Sequence, residues 1–213
     1  MTATTRKIIG FVGKRQLPNG EHALHTTLLD FLASIEQNSS IQQIVGISAL
    51  AMGADLVFAE AIIQRASVKQ TYSQLIYLPA SVAEFFLPAD FRLSEAESEL
   101  VVNERIRRAL ACLYAPTVKD IYFAGRSDSR DERFAETAFA IADHADLLVV
   151  ACTKKDLEAA LAHSPIANLA RGGSAETLRY AHQAGKSLLV IQVDSKPDDS
   201  GLLPCIGLNG FAR

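Results

Sequence analysis

Along the chain, short β-branched apolar runs alternate with longer stretches whose apolar residues recur every three to four positions. This alternation is the pattern of a mostly parallel sheet covered by helices on both faces. The run Ile8-Ile9-Gly10-Phe11-Val12 predicts a buried first strand, and 13–20, which holds Pro18 and Asn19, predicts the loop after it. A helix is expected over 21–35, with Leu24, Leu28, Leu29 and Leu32 as its apolar stripe. Further strands are predicted at 43–47, 75–78, 118–123, 145–152 and 187–193. After a small-residue turn at 48–53 comes a helix carrying Leu56, Ala59, Ile63 and Ala66, and others are expected over 94–113, 131–142 and 156–162. A last helix runs from the 171–177 segment to about His182 and is stopped by Gly185.

From Asp194 onward the chain holds Pro197, Gly201, Pro204, Gly207 and Gly210 and shows no period. That segment is expected to run irregularly over the surface. With no internal repeat and no linker composition, the expected architecture is a single doubly wound, mostly parallel, Rossmann-like α/β domain over 1–193, followed by an irregular C-terminal tail over 194–213.

Composition narrows the functional classes. The chain has 213 residues, of which 49% are hydrophobic and 21% charged, enough to bury one substantial core. Lysine plus arginine number 21 against 24 aspartates and glutamates, a net charge of −3, so no overall field draws the molecule onto nucleic acid or anionic lipid. The longest nearly apolar run, 44–54, is far shorter than the roughly 20 residues a membrane helix needs, and no membrane association is expected. The Asn38-Ser39-Ser40 sequon then has no expected role. Cys112, Cys152 and Cys205 are odd in number and far apart, which fits neither a disulfide framework nor zinc-ligand spacing and points to a reducing cytoplasm. His22 and His25 lie three apart with only Glu21 beside them, so surface roles are expected and no metal or resident cofactor is called for.

In an open α/β sheet, ligands bind beyond the carboxyl ends of the strands. Four small-residue loops fall there: Gly13-Lys14-Arg15, the 48–55 turn with Ser48, Gly53 and Asp55, the 79–81 turn with Pro79, and 171–177. Backbone N–H groups at such turns, with a helix dipole behind them, suit phosphate, and Lys14, Arg15 and Arg171 add full charges. Asp55 and Glu176 stand near helix starts, where a carboxylate complements the dipole or caps the helix, or meets ribose hydroxyls. Neither the Gly-x-Gly-x-x-Gly dinucleotide fingerprint nor a Walker loop is present, which disfavours an ordinary dehydrogenase or NTPase. The charged stretch Arg126 to Arg133 reads as a solvated loop or as a closure over a second phosphate.

The succession Gly10-Phe-Val-Gly-Lys-Arg15, Ser48-Ala-Leu-Ala-Met-Gly-Ala-Asp55, Leu78-Pro79, Ala145-Asp-Leu-Leu-Val-Val150, Gly172-Gly-Ser-Ala-Glu-Thr177, Tyr180-Ala181 and Gly185-Lys186 resembles the SLOG superfamily. That group is Rossmann-like and includes the Lonely Guy hydrolases, the DNA-processing protein A core and nucleotide sensors of defence systems. The resemblance spans 8–193 and implies a nucleotide-type ligand lined by Gly13, Lys14, Arg15, the 48–55 turn and Gly172, Gly173, Ser174, Ala175, Glu176 and Thr177. It also implies a homo-oligomer. The Lonely Guy motif Gly-Gly-x-Gly-Thr-x-x-Glu closes on a glutamate, and Arg179 stands at that place here, where a cation opposes an oxocarbenium-like centre.

Three functions remain. The first is binding or sensing of a nucleotide or nucleotide-derived molecule of ADP-ribose or cyclic nucleotide type, with Phe11, Tyr77 or Phe85 beside the base. The second is a nucleotide N-glycosidase or phosphoribohydrolase with Glu176 and Arg171 as catalytic residues. The third is DNA binding, which the acidic balance disfavours.

Overall fold

The computed structural model describes residues 5–37, 40–162 and 169–209. The sequon lies partly outside them, since Asn38 and Ser39 are not described. In chain order the elements are β1 (Arg6–Gly13), α1 (Gly20–Glu36), β2 (Gln43–Ser48), α2 (Ala54–Val68), β3 (Tyr72–Leu78), α3 (Val82–Phe85), α4 (Pro88–Phe91), α5 (Glu99–Leu113), β4 (Val118–Phe123), α6 (Arg130–His144), β5 (Leu147–Cys152), α7 (Lys154–Leu161), α8 (Ser174–Gln183), β6 (Leu188–Gln192) and β7 (Cys205–Leu208).

Seven strands form one sheet in the order β4-β3-β2-β1-β5-β6-β7. All neighbours are parallel except β6 and β7. The fold is a single α/β domain with helices on both faces, as the alternation predicts. Because successive strand residues face opposite sides, Ile9 and Phe11 of β1 pack toward α1 and α2, while Ile8 and Val12 pack toward α6, α7 and α8. On β3, Ile76 and Leu78 join α2 and α5, whereas Tyr77 faces the opposite layer. Strand order reverses direction between β1 and β5, and the loops following those two strands open there.

The structure departs from the expected elements in three places. Two four-residue helices, α3 and α4, occupy the stretch after Pro79 for which no element is expected; Ser81 and Glu84 close a capping box at the start of α3. α5 begins at Glu99 rather than 94, because the carboxylate of Glu97 folds the preceding turn by accepting the Leu93 N–H at 2.6 Å and two bonds from Arg105. The tail is also not irregular throughout. Asp198 nucleates a turn by accepting the N–H groups of Ser200 and Leu202, the buried hydroxyl of Thr27 takes the Leu203 N–H, and β7 then pairs antiparallel with β6. Four residues are too few to register a period in sequence.

At the other edge, β4 is half-exposed or exposed along its length. Its pairing with β3 shifts register at Gln74 and Leu75, and Asp120 Oδ1 accepts the N–H of Ile121 at 2.9 Å. At the C-terminal end of α1, beside α2 and β3, the half-buried Glu36 accepts from Arg65, Lys69 and the Tyr72 hydroxyl. Burial opposes ionisation of Glu36, yet those three donors outweigh it and hold its carboxyl down at about 2. Among the described residues no helix is long and apolar enough to cross a membrane, and no group of three metal-ligating side chains forms.

Candidate functional site

A cleft of about 400 Å³ opens at the reversal point between β1 and β5. It is lined by the β1 loop (Gly13, Lys14, Arg15), by Arg92 and Leu93 after α4, by the start of α6 (Arg130, Asp131, Phe134), and by Arg171, Gly172, Gly173 and Ser174 at the start of α8. Beneath it an inner lobe of about 90 Å³ reaches Asp55, Thr137 and Thr177. Five cations thus face one opening against a single lining carboxylate, Asp131.

Each wall is built by a local rule. Gly53 precedes α2 with φ +86°, and a Cβ there would stand 2.3 Å from the Arg15 carbonyl oxygen, so glycine alone lets α2 abut the β1 loop. The contact is secured by the Ala54 N–H donating to the Lys14 carbonyl at 3.0 Å. Gly172, φ +70°, turns the chain into α8 against the first turns of α6. Its N–H donates to Glu176 Oε2 at 2.7 Å, and the other Glu176 oxygen bonds the Arg171 guanidinium. Arg171 also clasps Glu132 with two bonds of 2.7 and 2.9 Å, so the loop before α8 is tied both to its own helix and to α6. Those carboxylates raise the Arg171 pKa further above its ordinary value.

Ser174 is the first residue of α8; the residue is 93% buried at the cleft floor, and its hydroxyl has no hydrogen-bond partner among the described residues. An unsatisfied buried hydroxyl beside a helix N-terminus, where N–H groups lack intrahelical acceptors, is an acceptor-seeking site. Ser48, at the end of β2, has an equally unpartnered buried hydroxyl but does not line the cleft.

Asp55 behaves differently from a helix cap. Its buried carboxylate accepts the backbone N–H groups of Ala49, Ala51 and Gly13, which ties the β2 loop to the end of β1. Leu50, between two of those donors, takes the left-handed conformation with φ 56°, unusual for a side chain of that size. Desolvation outweighs the three hydrogen bonds and pushes the Asp55 carboxyl up to about 7.

The five cations are not equally engaged. Lys14 pairs with Asp156 at 3.1 Å, and Asp156 in turn caps α7 through Thr153. Arg92 meets Glu99 and the Glu97 carbonyl, and Arg130 meets Asp90 while lying over the Phe134 ring, 4.9 Å from its centroid. Arg15 makes no ion pair among the described residues. Its Nη2 donates to the backbone carbonyl of Asp90 at 2.6 Å, and desolvation together with the like charge of Arg130 lowers its pKa.

The structure therefore gathers Gly13, Lys14, Arg15, Asp55, Arg171, Gly172, Gly173, Ser174 and Thr177 around one cavity. Gly53, Ala175 and Glu176 support it from behind, and Pro79 lines an adjoining cavity of about 200 Å³ that shares Arg130 and Phe134. Arg179 points away, its buried guanidinium donating to the Ala159 and Ala160 carbonyls at the end of α7. None of the expected base neighbours faces the main cleft. Phe11 stacks on Phe58 at 4.7 Å, Tyr77 bonds His144, and Phe85 packs with Phe86 and Phe91. The aromatic that borders all three cavities is Phe134, which sequence reasoning missed together with Arg92; the run of arginines from 126 to 133 was its only signal. Comparison with protein-family models gives no match, and comparison with curated proteins finds no related sequence.

Proposed function

We propose that this chain is a SLOG-like protein that binds a nucleotide or nucleotide-derived small molecule, of ADP-ribose or cyclic nucleotide type, at the carboxyl edge of its sheet. The observation that carries the proposal is the unpartnered hydroxyl of Ser174 at the N-terminus of α8, on the floor of a cleft ringed by five cations. A phosphate there accepts from the hydroxyl and from helix N–H groups, and it meets the charge of Arg171. The volume, about 400 Å³, lies in the range of small-molecule sites and leaves room for a ribose beside the phosphate. Phe134, half-buried at the junction of the three cavities, supplies the apolar surface for a base. The same proposal places the protein in a reducing cytoplasm as a homo-oligomer, in keeping with three free cysteines.

Support for a binding rather than a hydrolytic role comes from Glu176. Both its oxygens are engaged, one by Gly172 and one by Arg171, and it is buried behind the loop rather than lining the cleft. The test is a thermal-shift screen against AMP, ADP-ribose, cyclic nucleotides and NAD, followed by chromatography of each mixture. Stabilisation with the ligand recovered intact is the expected result, since a ligand that binds only the native state raises apparent stability. Free base and ribose phosphate would make the protein a hydrolase, and the absence of any shift would overturn the nucleotide proposal.

A further inference from the structure

Apart from Lys14, which pairs with Asp156, the cations of the cleft belong to two groups. One is built around the start of α8, where Arg171 is fixed by Glu132 and Glu176 beside the Ser174 hydroxyl. The other is knit around Asp90 at the end of α4. Arg15 donates to the Asp90 carbonyl at 2.6 Å, Arg130 Nε donates to the Asp90 carboxylate at 2.9 Å, and Arg92 follows two residues on, its carbonyl 3.5 Å from Arg15 Nη2. Among the described residues the ion pairs and hydrogen bonds given for Arg171 and for the Asp90 group have no residue in common.

From this arrangement we infer that Arg15, Arg92 and Arg130 form a second anion subsite, so that the cleft takes ligands bearing two linked phosphate groups in preference to one. The inference rests on the nucleotide proposal above and adds the class of ligand. Three guanidinium groups brought to one wall repel each other unless an anion joins them, and only two of the three have a carboxylate partner among the described residues. Arg15 is the member without one, and desolvation and the like charge of Arg130 lower its pKa, a penalty that the opposite charge of an anion offsets. Arg130 stands at the first position of α6, so a phosphate held by it also meets a second helix N-terminus. A single phosphate bound at Ser174 leaves this group unneutralised. A diphosphate group, longer and more highly charged, engages both groups within a cavity of about 400 Å³.

The test uses probes without a base, because the base is unidentified. Calorimetric titrations of the purified protein with inorganic phosphate and with pyrophosphate are compared for the wild type and for Arg15→Gln and Arg130→Gln. The expected result is pyrophosphate bound about 10-fold more tightly than phosphate by the wild type, with each variant losing most of that preference while phosphate affinity changes less than about twofold. Arg15→Gln is the more decisive variant, since among the described residues Arg15 bonds only backbone carbonyls, and circular dichroism checks that both variants remain folded. Equal wild-type affinity for the two anions, or a parallel loss of both in the variants, overturns the second subsite and leaves the nucleotide proposal standing. Failure of the wild type to bind either anion, with no nucleotide shifting its melting temperature, overturns both.

Discussion

The carboxylate of Asp55 accepts the backbone N–H of Gly13, so a side chain on α2 fixes the end of β1 where the cleft begins. Through Ala49 and Ala51 it fixes the β2 loop as well. The folded protein holds this carboxyl at about 7, against an ordinary value of 3.8. The folded state therefore keeps a proton that the unfolded chain releases, and the Asp55 contribution to stability is largest below about pH 4 and falls as pH rises toward 7. Urea unfolding of Asp55→Asn between pH 4 and 8 should show a flatter profile than the wild type, the difference amounting to at most about 4 kcal/mol across the range. Parallel profiles would mean that Asp55 is ionised throughout.

Glu36 has the opposite sign. Its carboxyl is held at about 2, below the ordinary 4.5, so its stabilisation is present above pH 4.5 and is lost as pH falls toward 2. Glu36→Gln should cost about 1–3 kcal/mol at pH 7, because Arg65 and Tyr72 lose a buried acceptor. Measured again at pH 2.5, the gap between variant and wild type should have largely closed.

Ser174→Ala separates stability from binding. The hydroxyl has no partner among the described residues, so its removal should leave the melting temperature unchanged or slightly raised. Affinity for inorganic phosphate should drop about 10- to 100-fold, the worth of one hydrogen bond to a charged group. A fall in melting temperature with unaltered phosphate affinity would assign the serine to packing.

Gly53→Ala should damage both at once. The left-handed conformation and the 2.3 Å approach to the Arg15 carbonyl leave no room for a methyl group unless α2 withdraws from the β1 loop. A loss of roughly 2–4 kcal/mol in denaturant unfolding is expected, together with weakened anion binding. Retention of wild-type binding would show that the cleft does not depend on this junction.

The order of strands and helices was legible because each buried strand carries its own β-branched run and each helix its own apolar stripe, as at 8–12 and 147–152. The β1 loop and the Gly172-Gly173 turn were legible for a related reason, since small residues at strand ends are a local signal. Arg92 and Phe134 were not. Their place in the cleft depends on how α3, α4 and the start of α6 fold back over the sheet edge, and that path is set by pairs such as Arg130 with Asp90, 40 positions apart. Glu176 shows the converse limit. Its carboxylate was visible in sequence, but the donors that engage it, Arg171 and the Gly172 N–H, could be assigned only from the folded loop.

The carboxylate of Asp120 gives the β4 edge a cost of entry. A strand approaching from outside must compete for the Ile121 N–H with an acceptor held one residue away, on an edge whose register has already slipped at Gln74 and Leu75. Strand addition is disfavoured at that position, while β7 terminates the opposite side with an antiparallel strand. Concentrated samples should therefore resist, at the β4 side, the edge-to-edge polymerisation to which open parallel sheets are prone.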